Sequence, residues 1–114
     1  AAWQALTSLK EDEDAVMARA AKTLAKGCPM TVHLVWQQIA RARHLSLADV
    51  FRMEYAMSLN CCRHPDFPEG VRALLIDKDN TPHWHWPAVA DITSAVIESH
   101  FSPSWDGAHP LADL

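Results

Sequence analysis

A complete short helix is specified by fourteen consecutive residues, Asp66-Phe67-Pro68-Glu69-Gly70-Val71-Arg72-Ala73-Leu74-Leu75-Ile76-Asp77-Lys78-Asp79. Asp66 and Glu69 have the spacing of a capping box, in which each side chain bonds the backbone N–H of the other residue. Apolar side chains then recur at helical spacing and predict one apolar stripe: Phe67, Val71, Leu74 and Leu75. The charged residues at the end of the run, followed by Pro82, predict where the helix stops.

Helical patterns also occur on both sides of this run. They predict a short helix containing Trp3, helices over about residues 11–26 and 89–101, and helices that begin at Pro29 and at Ser46. No segment alternates with period two over the length of a strand. The sequence therefore predicts an all-α bundle of short helices that forms a single domain over residues 1–114.

The helix predicted from Pro29 has a regular apolar pattern. Its apolar residues recur at i, i+3, i+4 and i+7, at Val32, Val35, Trp36 and Ile39. This spacing predicts a face that packs into the core.

Glu54 lies on the apolar face of the helix that begins at Ser46. A carboxylate in such a position needs a partner or a shifted pKa. One interpretation is a catalytic or ligand-binding acid. The other is a buried structural acid paired with an arginine, for which the candidates are Arg41, Arg63 and Arg72. We favour the structural acid because no second catalytic group is spaced to work with Glu54.

Charge and cysteine content exclude several classes of protein. The net charge of -4 comes from the run Glu11-Asp12-Glu13-Asp14, and the other acids and bases balance. A general nucleic-acid binder needs a basic face, so nucleic acid is not a predicted partner. No apolar run approaches the ~20 residues of a membrane span. Three cysteines, two of them adjacent, predict free thiols in a reducing compartment.

No catalytic or metal site is predicted from the residues alone. His83 and His85 flank Trp84, and Cys61, Cys62 and His64 form a second cluster. Neither has the usual pair spacing of a structural zinc site. A cysteine nucleophile would need a base that is itself oriented by a third group, and none is evident. Glycine-rich phosphate loops and G-x-S-x-G are absent from the sequence. We therefore predict no catalytic residue, no metal and no cofactor.

The run from Asp66 to Asp79, with Pro82 and Trp84 after it, resembles a known family signature. It is similar to the C-terminal signature of the 3-hydroxyisobutyryl-CoA hydrolase branch of the crotonase (enoyl-CoA hydratase/isomerase) family. Residues 45–49, 53–55 and 97–101 resemble the same branch. The resemblance covers nearly the whole chain but only the last third of a full-length member. It implies an upstream crotonase core, absent from these residues, as the partner.

The resemblance also implies a function. Members of the branch hydrolyse a short β-hydroxyacyl-CoA thioester, with an oxyanion hole and acidic side chains that belong to the core. No position in this chain matches those groups. The implied role is a C-terminal lid, packing and assembly element, inactive alone, in a cytoplasmic or mitochondrial matrix enzyme that takes acyl-CoA as its substrate. Contacts between copies in a homo-oligomer are also implied.

Four residues map onto CoA-binding positions of the family. The resemblance implies that Phe67 and Gly70 pack near the pantetheine and adenine end of CoA, and that Arg72 and Lys78 face its phosphates. Each has a structural alternative. Phe67 fits a core position, Arg72 can pair with Glu69 at i, i+3, and Lys78 fits a solvated loop.

A second hypothesis is a stand-alone helical interaction module. Its anchors on a partner protein would be the five tryptophans Trp3, Trp36, Trp84, Trp86 and Trp105. Large exposed apolar side chains mark such surfaces. What covers the tryptophans separates the two hypotheses.

Overall fold

The computed structural model describes residues 15–114, and this part of the chain is built from five α-helices. They are α1 (Ala15–Lys26), α2 (Pro29–Ala42), α3 (Leu47–Arg63), α4 (Asp66–Val71) and α5 (Ser94–Ser99). A π-helical turn over Arg72–Ile76 continues α4, and a 3-10 turn over Val89–Asp91 precedes α5. Residues 15–114 contain no strand, so the all-α prediction is confirmed. The helix predicted around Trp3 and the acidic run at 11–14 lie outside the described residues.

The start of α3 agrees with the sequence prediction, whereas the start of α4 differs from it. Ser46 caps α3 as predicted, because its hydroxyl accepts the backbone N–H of Asp49 at 3.1 Å. The capping box predicted in α4 is wrong. The N-cap residue is Pro65, which makes no side-chain bond, and the Glu69 N–H bonds the Pro65 carbonyl at 3.1 Å. The two carboxylates are instead used for contacts with a distant segment.

The last predicted helix is shorter than its pattern. Thr93 caps α5 by accepting the Val96 N–H at 3.3 Å, in an extended backbone conformation that no helix can pass through. The residues before Thr93 therefore form only the 3-10 turn. His33 ties this turn to α2 through a 2.8 Å contact between its Nε2 and the Val89 carbonyl.

The hydrophobic core is small. Its centre is Met30, Leu34 and Ile92, where α2 packs against α5 and the 3-10 turn. The other buried apolar residues in residues 15–114 are small: Ala21, Pro29, Ala56 and Ala73. The radius of gyration is 16.1 Å, compared with about 13 Å for a compact domain of ~100 residues. The chain is thus more open than a self-contained domain.

The apolar stripe of α2 faces solvent, so its predicted core role is wrong. Val35 and Ile39 are exposed, and 63% of the Trp36 surface is accessible. The buried residues of α2 lie on another face, which includes Met30 and Leu34. Helices α3 and α4 and the π-turn also expose large apolar side chains: Leu47, Phe51, Tyr55, Phe67, Leu74, Leu75 and Ile76. The periodicity is real, but the surface that it would pack against is not in the described part of the chain.

Glu54 also differs from its prediction. The side chain is half-buried, and its carboxylate accepts a 2.7 Å hydrogen bond from the Gln38 amide. No ion pair of the described residues joins it to an arginine. Arg41 pairs with Glu98, and Arg63 donates to the Ser104 carbonyl. Glu54 therefore links α3 to α2 through a neutral partner.

The C-terminal tail docks on α3. Arg52 donates to the Leu111 carbonyl at 3.0 Å and to the Leu114 carbonyl at 2.6 Å. The Trp105 ring meets the edges of Tyr55 and His109, with centroids 5.6 and 4.8 Å apart. No helix within residues 15–114 is both long and apolar enough to cross a membrane.

Candidate functional site

A groove of about 370 Å³ lies between the start of α2, the end of α3 and α4. Its walls are mostly apolar, with two thiols and a few ring nitrogens among them. The lining residues of the three helices include Cys28, Met30, Leu34, Cys61, Phe67, Gly70, Leu74 and Leu75. Trp84, from the segment after the π-turn, completes the wall. A groove with this lining suits the apolar part of a small ligand.

Asp66 is a buried acid at this groove, with 7% of its surface exposed. Its Oδ1 accepts the His85 backbone N–H at 2.8 Å, and its Oδ2 accepts the Cys28 thiol at 3.4 Å. Its own backbone N–H donates to Nδ1 of His64 at 3.2 Å. The carboxylate therefore joins α2 and α4 to the segment that contains His85.

We call the segment around His85, residues 83–86, the strap. Two carboxylates of α4 hold it: Asp66 accepts the His85 N–H, and Glu69 accepts the His83 N–H at 3.1 Å. The Trp84 ring lies 3.4 Å from the point that a Cβ on Gly70 would occupy. The strap therefore packs against α4 at a distance where a Cβ on Gly70 would make an ordinary van der Waals contact. The strap is neither helix nor strand, and it bends at residues 85 and 86.

A cluster of aromatic rings surrounds His64 at the end of α3. Its ring centroid is 5.3 Å from His100, 5.5 Å from Trp86 and 5.7 Å from His85. Burial lowers the pKa of His64, and the facing His100 and His85 rings lower it further, while Asp66 opposes them. Neutral His64, with Nδ1 as an acceptor, therefore fits its surroundings.

Arg72 stabilises the loop that follows the π-turn. Its guanidinium contacts Glu69, and it donates to Asp77 at 2.8 Å and to Asp79 at 2.7 Å. These carboxylates raise the pKa of Arg72, and Arg72 in turn holds the pKa values of Glu69 and Asp79 below their ordinary range. The i, i+3 pair with Glu69 is therefore present, together with two further acids that the spacing did not predict.

Lys78 projects from the same loop. It is exposed and has a left-handed backbone, with φ of 56°, and Asn80 is similar at 54°. Asp77 and Asp79 on either side of Lys78 are bound to Arg72. No ion pair of the described residues uses the Lys78 ammonium group, which remains available to an external anion.

The thiols at the groove are not activated. Burial raises the pKa of Cys28 and of Cys61, so both are protonated at neutral pH and are weak nucleophiles. Within residues 15–114, no group of three or more His, Cys, Asp or Glu side chains has a geometry that could hold a metal ion.

The structure groups two of the four predicted CoA-binding residues. Phe67 and Gly70 line the groove, whereas Arg72, at the start of the π-turn, and Lys78, in the loop after it, are not among its lining residues. The contribution of each to binding stays a prediction. Sequence reasoning missed that Asp66, His64 and His100 meet, because no spacing along the chain relates three separate elements. The only available signal was Asp66 itself, a carboxylate followed directly by apolar residues.

Comparisons with known proteins identify the family of the chain. A family model described as Enoyl-CoA hydratase/isomerase matches residues 1–101. A protein named 3-hydroxyisobutyryl-CoA hydrolase, mitochondrial, from Danio rerio is 41% identical over 95 residues, which is 83% of this chain and 25% of that protein. A protein of the same name from Homo sapiens is 32% identical over 96 residues, or 84% of this chain and 25% of the relative. The chain thus spans about a quarter of the length of these relatives.

Proposed function

Because the chain belongs to the enoyl-CoA hydratase/isomerase family, we propose that it is the C-terminal lid and packing element of a 3-hydroxyisobutyryl-CoA hydrolase. The catalytic groups belong to an upstream crotonase core of the same polypeptide. The chain alone does not hydrolyse the thioester. The names of the relatives include "mitochondrial", which supports a mitochondrial location for this enzyme.

The main support for this proposal is that α2, α3 and the π-turn expose large apolar side chains. Trp36 on α2, Phe51 on α3 and Leu75 beyond α4 are all solvent-accessible here. Burying apolar surface stabilises by about 25 cal/mol per Å², so helices that leave such stripes uncovered gain from a partner surface. The proposed occupant is the crotonase core, since relatives of the chain contain about three times as much further sequence.

The groove and the loop supply the proposed CoA contacts. Phe67 and Gly70 line the groove, whose apolar walls suit the pantetheine arm. Lys78 is the better placed of the two cations for a CoA phosphate, because the guanidinium of Arg72 is already bound to three carboxylates. Arg72 then acts by fixing the loop on which Lys78 stands.

The experiment compares variants of the full-length polypeptide in 3-hydroxyisobutyryl-CoA hydrolysis. The double variant Trp36→Ser, Phe51→Ser is expected to lower kcat/KM by about tenfold or more, because a displaced lid misplaces the substrate. Lys22→Ser, at an exposed polar position on α1, serves as the matched control and keeps wild-type activity. Hydrolysis by the 114-residue chain itself, or an unaffected double variant, would overturn the proposal.

The interaction-module hypothesis has less support. Trp84, Trp86 and Trp105 are half-buried against their own chain, and Trp3 lies outside the described residues. Of the four described tryptophans, only Trp36 is exposed enough to serve as an anchor. One anchor on an apolar stripe fits the covered face of a larger enzyme as well as it fits a separate partner.

A further inference from the structure

We propose that the strap is a pH-sensitive closure of the groove, which stays closed while His64 is neutral and is released from Asp66 when His64 gains a proton. The strap contributes Trp84 to the groove wall, so its release would open one side of the groove. The proposal adds regulation to the site of the proposed function. Its test uses no ligand, so its failure would be distinguishable from failure of the lid role.

The closed strap depends on a lone pair of His64. Nδ1 accepts the Asp66 backbone N–H at 3.2 Å, which only an unprotonated nitrogen can do. After protonation, Nδ1 becomes a donor that faces Oδ2 of Asp66 at 3.6 Å. A carboxylate that turns toward this donor moves away from the His85 N–H, which it holds at 2.8 Å. The strap then loses one of its two bonds to α4.

The groups around His64 offer little compensation for a positive charge. Asp66 on α4 is the anion nearest to it, and this carboxylate already serves the strap and the Cys28 thiol. His85 on the strap and His100 after α5 face it as further imidazoles, and a proton on either ring would repel a second one. Cys28 and Cys61 complete this side of the groove as neutral thiols. The Trp86 face, 5.5 Å away, favours the cation but belongs to the strap itself.

The direction of the pH effect follows from these surroundings. Burial, the largest cause, lowers the pKa of His64 in the closed structure below its ordinary value of about 6.5. The open strap therefore binds more protons than the closed strap in this range. Closure is complete above about pH 6.5 and is lost progressively as the pH falls below it.

The experiment measures amide hydrogen exchange at His85 in the 114-residue chain without ligand. Exchange is compared at about pH 7.5 and about pH 5.5, either side of the ordinary histidine pKa, after correction for the intrinsic rate. Wild-type protection is expected to fall by about three- to tenfold at the lower pH. His64→Asn keeps an oxygen acceptor near the position of Nδ1 and cannot take a proton, so its protection should not change. His44→Asn, at an exposed position, is the matched control and should behave as wild type.

Equal pH dependence in His64→Asn and in wild type would overturn the proposal. If His64→Asn fails to fold, the ring nitrogens of His64 in the wild-type chain provide a second measurement. Their NMR titration should share its midpoint with the loss of His85 protection. A His64 that stays neutral while the strap opens, or that is protonated while the strap stays closed, would equally contradict the proposal.

Discussion

The strap region and the long helices are stabilised in opposite ways. Around α4, three charged side chains bind the strap and the loop that precedes it through hydrogen bonds within the chain: Asp66, Glu69 and Arg72. Helices α2 and α3 instead carry large apolar side chains that nothing in the described residues covers. The first region provides its own partners, whereas the second leaves its apolar side chains exposed within residues 15–114. The proposed lid would need both properties, since it would have to keep its own shape and still attach to a core.

The largest expected contrast lies between two neighbouring positions on α2. Leu34 is 5% exposed in the core, and Trp36 is 63% exposed. In the 114-residue chain, Leu34→Ala should lower the free energy of unfolding by about 2–4 kcal/mol, because it leaves a cavity. Trp36→Ala should change it by no more than about 0.5 kcal/mol. Urea unfolding measures both variants.

The same two variants, Leu34→Ala and Trp36→Ala, can be measured in the full-length polypeptide. If a crotonase core covers α2, Trp36→Ala should then cost about 3 kcal/mol, as truncation of a buried tryptophan does. A Trp36 effect that is equally small in both lengths would mean that this face of α2 stays in solvent. The comparison between the two regions would then lose its explanation.

The next effect concerns the polar region. Asp66→Ala removes the acceptor of the His85 N–H and of the Cys28 thiol, and leaves both donors without a partner at a partly buried position. We expect a loss of about 1–3 kcal/mol in the free energy of unfolding, measured with urea. Asp106→Ala, at an exposed loop position, is the control and should be neutral. A neutral Asp66→Ala would show that Glu69 and the aromatic contacts are enough to hold the strap.

A smaller effect of opposite sign is expected at Gly70. A Cβ there would meet the Trp84 ring at 3.4 Å, which is an ordinary contact distance. Gly70→Ala should therefore stabilise α4 by about 0.5 kcal/mol, because alanine loses less backbone entropy in a helix. Thermal unfolding of the chain measures this gain. A loss of stability would indicate that the strap has no room to adjust.

The smallest effect is confined to the loop after the π-turn. Arg72 holds the pKa values of Glu69 and Asp79 low, so its pairing is complete above the ordinary carboxyl range of about pH 4 and is lost as the pH falls below it. Arg72→Gln should remove this acid dependence from exchange of the Asn80 amide, which bonds the Ala73 carbonyl at 3.0 Å. Arg43→Gln, an exposed arginine at the end of α2, should leave it intact.

Much of the fold could be predicted because its signals are local. The start of α2 at Pro29 and the cap of α3 at Ser46 depend on residues within one helical turn. The start of α5 is harder to predict, since a threonine such as Thr93 can either continue a helix or cap a new one. The sequence predicts that α2 has an apolar stripe, and the helix does have one. Whether that stripe is buried depends on which elements lie beside it, and the local sequence does not contain this information.

The candidate site was predicted only in part, for the same reason. Phe67 and Gly70 could be singled out because they lie within one recognisable run, and both line the groove. Asp66 was assigned to a capping box because its spacing to Glu69 permits one. In the folded chain, the two carboxylates instead accept the backbone N–H groups of His83 and His85.

The amino-acid order alone determined that this chain is helical, that its thiols are free and that its central run is that of a crotonase-family protein. Periodicity, caps and family signatures are properties of neighbouring residues. The tertiary structure decided which apolar faces remain uncovered, which atoms Asp66 binds and that three histidines meet beside it. Those outcomes depend on residues far apart in the sequence, such as Cys28 and Asp66, which are 38 positions apart and whose proximity only the packed chain creates.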